Sequence, residues 1–119
     1  MQASLVWNVP ATLLQLEREG DADLLRDVIS LFREDTLARL QQLRDAVGQG
    51  DAAGLRRQAH IIKGSATQLG ADLMAALCQE LEQRSLRGET SALPAMLEKL
   101  RTEFDRIWPA MADRMARPE

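Results

Sequence analysis

The chain has 119 residues, of which 45% are hydrophobic and 28% are charged, and its formal net charge is −3. A single cysteine excludes an internal disulfide, and a single histidine excludes a multi-histidine metal centre. The balance of charge gives no reason to expect nucleic acid or an anionic membrane as a partner, and no apolar run is long enough to span a bilayer.

The composition predicts an all-α protein, because helix-forming residues are abundant and aromatic residues make up only 3% of the chain. A short amphipathic segment lies between Pro10 and Gly20. Apolar stripes and turn residues then predict four long helices at about 21–47, 51–69, 72–86 and 91–108. Their short connections favour an antiparallel up-down four-helix bundle with a short additional N-terminal helix.

The ends of the chain are predicted to be tails of a single domain that spans residues 1–119, with an N-terminal tail over 1–9 and a C-terminal tail over about 109–119. Pro109 disfavours helical geometry at Trp108, so a break or kink is expected there. Either Trp7 or Trp108 would support self-association if its ring were exposed.

The helix predicted at 72–86 is expected to turn Leu73, Leu77 and Leu81 inward, with Met74 and Cys78 beside them. On that face Cys78 is interpreted as a buried, inert thiol rather than a nucleophile.

The helix predicted at 51–69 carries the only histidine of the chain. On a wheel of about 100° per residue, its apolar stripe centres about 140° from His60, so the imidazole is expected to face solvent, and Lys63 lies about 60° from it. Gly64 inside this helix lowers helix stability by about 1 kcal/mol relative to alanine. A glycine at this position would leave space beside the imidazole ring. The pattern suits a histidine that receives a bulky anionic group; the alternative is an ordinary solvated helix face.

Residues 60–71 read HIIKGSATQLGA and resemble the signature of histidine-containing phosphotransfer (HPt) domains, His-x-x-Lys-Gly-Ser followed by Leu-Gly. The resemblance extends in detail over roughly residues 51–82. It implies that His60 accepts a phosphoryl group from an aspartate of a receiver domain and passes it to another receiver. It also implies that Lys63 offsets the phosphoryl charge and that Gly64 gives access.

The same resemblance implies further residues around the histidine. Glu82 takes, by spacing, the place of a polar residue that orients the imidazole in some family members; the alternative is a plain surface glutamate. The remaining supporting residues are Gln68, Arg56 and Arg57, and the residues expected to contact a receiver are Ile61, Thr67 and Ala71.

The implied protein is a monomeric, cytoplasmic phosphocarrier without catalytic apparatus, cofactor or metal of its own, with Mg²⁺ carried by the receiver. Its expected partners are response-regulator receiver domains, with a hybrid sensor histidine kinase as a further candidate, and neither nucleic acid nor membrane. Two alternatives stay open: the phosphoacceptor domain of a chemotaxis-type histidine kinase, and a helical interaction scaffold that is not phosphorylated. A hydrolase or kinase acting alone is disfavoured, because the chain lacks a phosphate-binding glycine loop and evident triad partners for its histidine.

Overall fold

The computed structural model describes residues 7–116. These residues form five α-helices and one short 3-10 turn: α1 (Ala11–Arg18), α2 (Ala22–Gln49), α3 (Ala52–Gln68), α4 (Asp72–Leu86), the 3-10 turn (Thr90–Ala92) and α5 (Leu93–Ala116). The predicted all-α class is confirmed for this part of the chain. Residues 1–6 and 117–119 of the predicted tails lie outside the described residues.

Aspartate side chains cap the N-terminal ends of α2 and α3. The Asp21 carboxylate accepts a hydrogen bond from the backbone N–H of Leu24 at the start of α2, and the Asp51 carboxylate accepts one from Gly54 at the start of α3. Such caps satisfy N–H groups that have no partner within the helix. Gly50 separates the two helices in a left-handed conformation with φ 68°, which glycine adopts without a steric cost.

The four long helices pack as a ring, in which α2 and α4 each contact both α3 and α5. The short helix α1 packs against α2. The centre of the ring is apolar, and each buried Leu, Ile or Met side chain contributes about 1.5–3 kcal/mol. Its largest fully buried apolar side chains are those of Ile29, Leu43, Leu55, Ile62, Met74, Leu81, Leu100, Ile107 and Met111. Within residues 7–116, no helix is both long enough and apolar enough to cross a membrane.

The inward face of α4 differs from the predicted one. Met74, Cys78 and Leu81 are buried, whereas Leu73 is 51% exposed and Leu77 is only partly buried. The prediction that Leu73 faces inward is therefore wrong. Because α4 packs between α3 and α5, the line of residues midway between those neighbours is buried, and Leu73 lies at its edge.

Helix α5 continues through Pro109 to Ala116, so the predicted break at Trp108 and the predicted tail are wrong for residues 109–116. A proline inside a helix removes one backbone hydrogen bond and crowds the preceding turn. Contacts beyond the proline offset this cost. Met111 is fully buried, and the Arg114 guanidinium donates two hydrogen bonds to the Glu17 carboxylate of α1.

Residues 7–9 also pack on the helices rather than forming a tail. The Trp7 ring is buried, and its indole N–H donates a 2.6 Å hydrogen bond to the Leu69 carbonyl at the end of α3. Trp108 is partly buried, and its ring stacks on Phe104 with 6.3 Å between the ring centroids. Trp7 is therefore not available for self-association.

Gly70 is expected to be essential for the packing of this N-terminal segment. Its φ is 75°, and a Cβ at this position would collide with the backbone carbonyl oxygen of Asn8. Gly70→Ala should therefore lower the free energy of unfolding by more than the roughly 1–2 kcal/mol that left-handed backbone costs an L-residue. Gly88→Ala is the matched control, because Gly88 has the same φ of 75° and no atom within 4 Å of an added Cβ. Equal losses of stability on urea denaturation would contradict the expectation.

Candidate functional site

His60 lies on the solvent face of α3, and its side chain is 70% exposed. Its neighbour in sequence, Ala59, is fully buried, as is Ile62 two residues further on. The helix thus uses one side for the core and presents the imidazole on the other. The predicted outward orientation of His60 is confirmed.

A carboxylate from the neighbouring helix lies beside the imidazole. The Glu82 Oε2 atom of α4 is 3.6 Å from His60 Nδ1, and the Glu82 side chain is only 21% exposed. This distance exceeds that of a hydrogen bond, so the two groups interact electrostatically. A negative charge on this side favours a proton on Nδ1, which leaves the lone pair of the neutral ring on Nε2.

Lys63 approaches the same carboxylate from one turn further along α3. Its Nζ lies 3.9 Å from Glu82 Oε1 and donates a 3.3 Å hydrogen bond to Gln79 Oε1. Glu82 Oε1 is buried and has no hydrogen-bond partner within residues 7–116. A single carboxylate therefore faces an imidazole on one side and an ammonium group on the other.

The surface next to the imidazole is open at Gly64. A Cβ built on Gly64 would have no atom within 4 Å, and the residue is exposed in the second-last turn of α3. Gly64 therefore does not serve the close packing of a neighbouring helix. The open space expected from the sequence is confirmed.

Three of the other predicted residues line the exposed side of α3. Ile61 is a large apolar side chain that is 37% exposed. Thr67 and Gln68 are also exposed, and the Thr67 hydroxyl donates a 2.8 Å hydrogen bond to the Lys63 carbonyl. These side chains are accessible to a protein that approaches His60 along the helix.

The two arginines of α3 point in different directions. Arg56 donates a 3.3 Å hydrogen bond to the Ser85 hydroxyl of α4 and is partly buried. Arg57 is exposed and lines a groove between α2 and α3 together with Gln42 and Gln58. Of the predicted cations, only Lys63 is shown in contact with the carboxylate beside His60.

Ala71 was expected to contact a partner, and the structure contradicts this. Its side chain is 3% exposed, and its backbone N–H donates a 2.8 Å hydrogen bond to the Ala66 carbonyl. Ala71 closes the turn between α3 and α4 and belongs to the core. The small side chain is buried because Trp7 and the N-terminal segment pack over this turn.

Gln79 is the residue near the site that sequence reasoning missed. It lies three residues before Glu82, which places both side chains on the flank of α4 that faces α3. The spacing could have indicated the pair, but only after the packing of α4 against α3 was known. An exposed glutamine on a helix carries no signal of its own.

Cys78 lies one turn before Glu82 and is fully buried. Burial raises the pKa of its thiol to about 12; the negative charge of Glu82 acts in the same direction, and the positive charge of Lys63 opposes it. Because the thiolate is the reactive form, this thiol has no nucleophilic role. The interpretation of Cys78 as an inert core residue is confirmed.

Among residues 7–116, no group of three or more His, Cys, Asp and Glu side chains is placed to hold a metal ion. The expectation that the chain has no cofactor or metal of its own stays a prediction.

The chain is similar to known phosphotransfer proteins. A family model described as "Hpt domain" matches residues 27–110. The crystal structure of histidine-containing phosphotransfer protein B (HptB) from Pseudomonas aeruginosa PAO1 is 32% identical in sequence, with a TM-score of 0.81, and the match covers 93% of this chain and 96% of that chain. A comparison with curated proteins gave no match.

The buried thiol supplies a test of the packing beneath the site. In the native protein at about pH 8, iodoacetamide should leave Cys78 unmodified, because the side chain is buried and its pKa of about 12 keeps it protonated. In denaturing urea the same thiol should react fully, which is the internal control. Mass spectrometry measures both results. Rapid alkylation of the native protein would show that α4 separates readily from α3.

Proposed function

This chain belongs to the family of Hpt domains, which carry phosphoryl groups in two-component signalling, and we propose that His60 is its phosphoacceptor. The observation that carries the proposal is the 70% exposed imidazole, with Glu82 on its Nδ1 side and open space at Gly64. A core histidine would be buried and hydrogen-bonded. His60 has neither feature, and its neighbours suit the transfer of a large anionic group.

In the proposed reaction the receiver's aspartyl phosphate donates its phosphoryl group to Nε2 of His60. The Nε2 lone pair forms the N–P bond, the acyl-phosphate P–O bond breaks, and its electron pair leaves with the receiver's aspartate. The proton on Nδ1 stays on the ring, which becomes a phosphorylated imidazolium. Attack by an aspartate of a second receiver reverses the sequence and returns the neutral ring.

Glu82 and Lys63 have complementary electrostatic roles in this proposal. The ring gains positive charge when Nε2 is phosphorylated, and the Glu82 carboxylate 3.6 Å from Nδ1 stabilises that charge. Lys63 supplies a positive charge near the transferring group. This matters because phosphoryl transfer depends on positioning and on compensation of the phosphoryl charge. Neither residue touches phosphorus, so the chain acts as a carrier and the receiver supplies the acidic site and its Mg²⁺.

The proposed partners are response-regulator receiver domains in the cytoplasm, with a hybrid sensor histidine kinase as a further candidate for the upstream source of the phosphoryl group. The exposed side chains of Ile61, Thr67 and Gln68 offer one apolar and two polar contacts beside His60. We expect a monomer, as the family implies. It should bind one receiver at a time, because a single face of α3 carries the site.

We also infer an antiparallel up-down arrangement of the four long helices, preceded by α1. The connections after α2 and α3 are only residues 50–51 and 69–71, and each pair of successive helices packs side by side. Two helices that pack after so short a connection run in opposite directions.

The deciding experiment is incubation with a phosphorylated receiver domain. The wild-type chain should gain an acid-labile, base-stable label, and His60→Gln should gain none. The melting temperature should change little, since exposed substitutions away from packing usually alter stability by less than about 0.5 kcal/mol. Residual acid-labile label in the variant would refute the assignment. A wild-type chain that takes no label from a panel of receivers would favour an interaction scaffold.

Gly64→Ala should have opposite effects on stability and transfer. The added methyl meets no atom within 4 Å, so helix propensity should raise the free energy of unfolding by up to about 1 kcal/mol. The same methyl occupies the approach beside His60, so transfer should slow, and a larger residue such as glutamine should nearly stop it. Urea denaturation and the rate of label transfer measure the two effects.

Gly48→Ala is the matched control for this pair of effects. Gly48 is also an exposed glycine in a helix with no atom within 4 Å of an added Cβ, but it lies in α2. It should gain stability without any change in transfer. A Gly64→Ala protein that transfers at the wild-type rate would contradict the role of Gly64 in access.

A further inference from the structure

The ammonium group of Lys63 has two acceptors on α4, and the neutral one is nearer. Lys63 Nζ is 3.3 Å from the amide oxygen of Gln79 and 3.9 Å from Glu82 Oε1. Only the contact with Gln79 is a hydrogen bond. An ammonium group beside a free carboxylate would ordinarily form the charge-assisted bond, which is the stronger of the two.

The two carboxylate oxygens of Glu82 have different surroundings. Its Oε1 atom is buried without a hydrogen-bond partner in the described part of the chain, and its Oε2 atom lies 3.6 Å from Nδ1 of His60. At 3.9 Å Lys63 and Glu82 form a long ion pair, and closer approach of Lys63 would add a direct hydrogen bond to it. That bond would offset more of the ammonium charge and draw the carboxylate toward Lys63, away from His60.

We propose that Gln79 is a positioning residue for Lys63: its side-chain oxygen holds the ammonium group beside His60 and off Glu82. This inference rests on the proposed role of Lys63 in transfer. A neutral acceptor uses one of the three N–H donors and leaves the positive charge intact. The two remaining donors are then available to a phosphoryl group on His60, while Glu82 stays with the ring.

A role of Gln79 in folding stability can be distinguished from the proposed positioning of Lys63. Gln79 is exposed, and a hydrogen bond between exposed side chains adds little to folding stability. Its removal should therefore leave melting unchanged. The effect should fall on the transfer step and should depend on the presence of Lys63.

The experiment compares Gln79→Met with Gln83→Met. Methionine is nearly isosteric with glutamine and keeps helix propensity, and Gln83 is an exposed glutamine one turn further along α4. With a phosphorylated receiver at saturation, Gln79→Met should slow transfer about fivefold, the factor that one net hydrogen bond is worth. Receiver affinity should change less than twofold, and Gln83→Met should match the wild type.

Two further variants test the mechanism. In a Lys63→Gln background, Gln79→Met should cause no additional slowing, because the group that it positions is absent. Gln79→Glu keeps an acceptor of the same shape but adds a negative charge, so it should also slow the saturated rate by pairing with Lys63. Transfer by Gln79→Glu at the wild-type rate would overturn the requirement for a neutral acceptor.

The inference is overturned if Gln79→Met transfers normally, if the slowing persists without Lys63, or if Gln83→Met slows transfer equally. In each of these cases the wild-type chain still takes label on His60, so the proposed function stands. Failure of the proposed function has a different signature, which is a wild-type chain without label or a His60→Gln chain with it. Either of those results removes both proposals.

Discussion

The packing of α3 against α4 is the constraint on which the site depends. These two helices form the most extensive helix–helix contact among the described residues, and both bury small or flexible side chains such as Ala59, Ala66 and Cys78. Small side chains allow close approach of two helices. Close approach brings the flank of α3 that carries His60 within reach of the flank of α4 that carries Glu82. The site is therefore a product of core packing, although its side chains face solvent.

The site contains features that a stability-optimised surface would lack. Gly64 gives up helix propensity without any packing in return, and Glu82 keeps a buried carboxylate oxygen without a hydrogen-bond partner. Each costs stability, and each becomes intelligible if a phosphoryl group must enter beside the ring. Locally unfavourable choices of this kind concentrate at functional sites, because the rest of the fold is stable enough to offset them.

Sequence periodicity predicted the orientation of His60 and the open space at Gly64 because both follow from the geometry of one helix. It did not predict that Leu73 is exposed, since the buried line of α4 is decided by two neighbouring helices. The break predicted before Pro109 was wrong for a similar reason. Tertiary contacts beyond the proline outweigh the local cost of a proline inside a helix. The proposed role of Gln79 could not be predicted from the sequence, because its side chain interacts with a lysine from another helix.

The ends of the described chain stabilise the helix that carries the site. Residues 7–26 precede the segment matched by the family model, yet Trp7 holds the Leu69 carbonyl at the end of α3. Helix α5 likewise extends beyond the matched segment, and there Arg114 binds Glu17 of α1. The two extensions thus bind to each other as well as to the bundle. A helix that contains an exposed glycine near its C-terminal end tends to fray. The hydrogen bond from Trp7 to the Leu69 carbonyl restrains the end of α3 on the C-terminal side of Gly64. The additional segments thereby allow an open approach to His60 without loss of the helix that presents it.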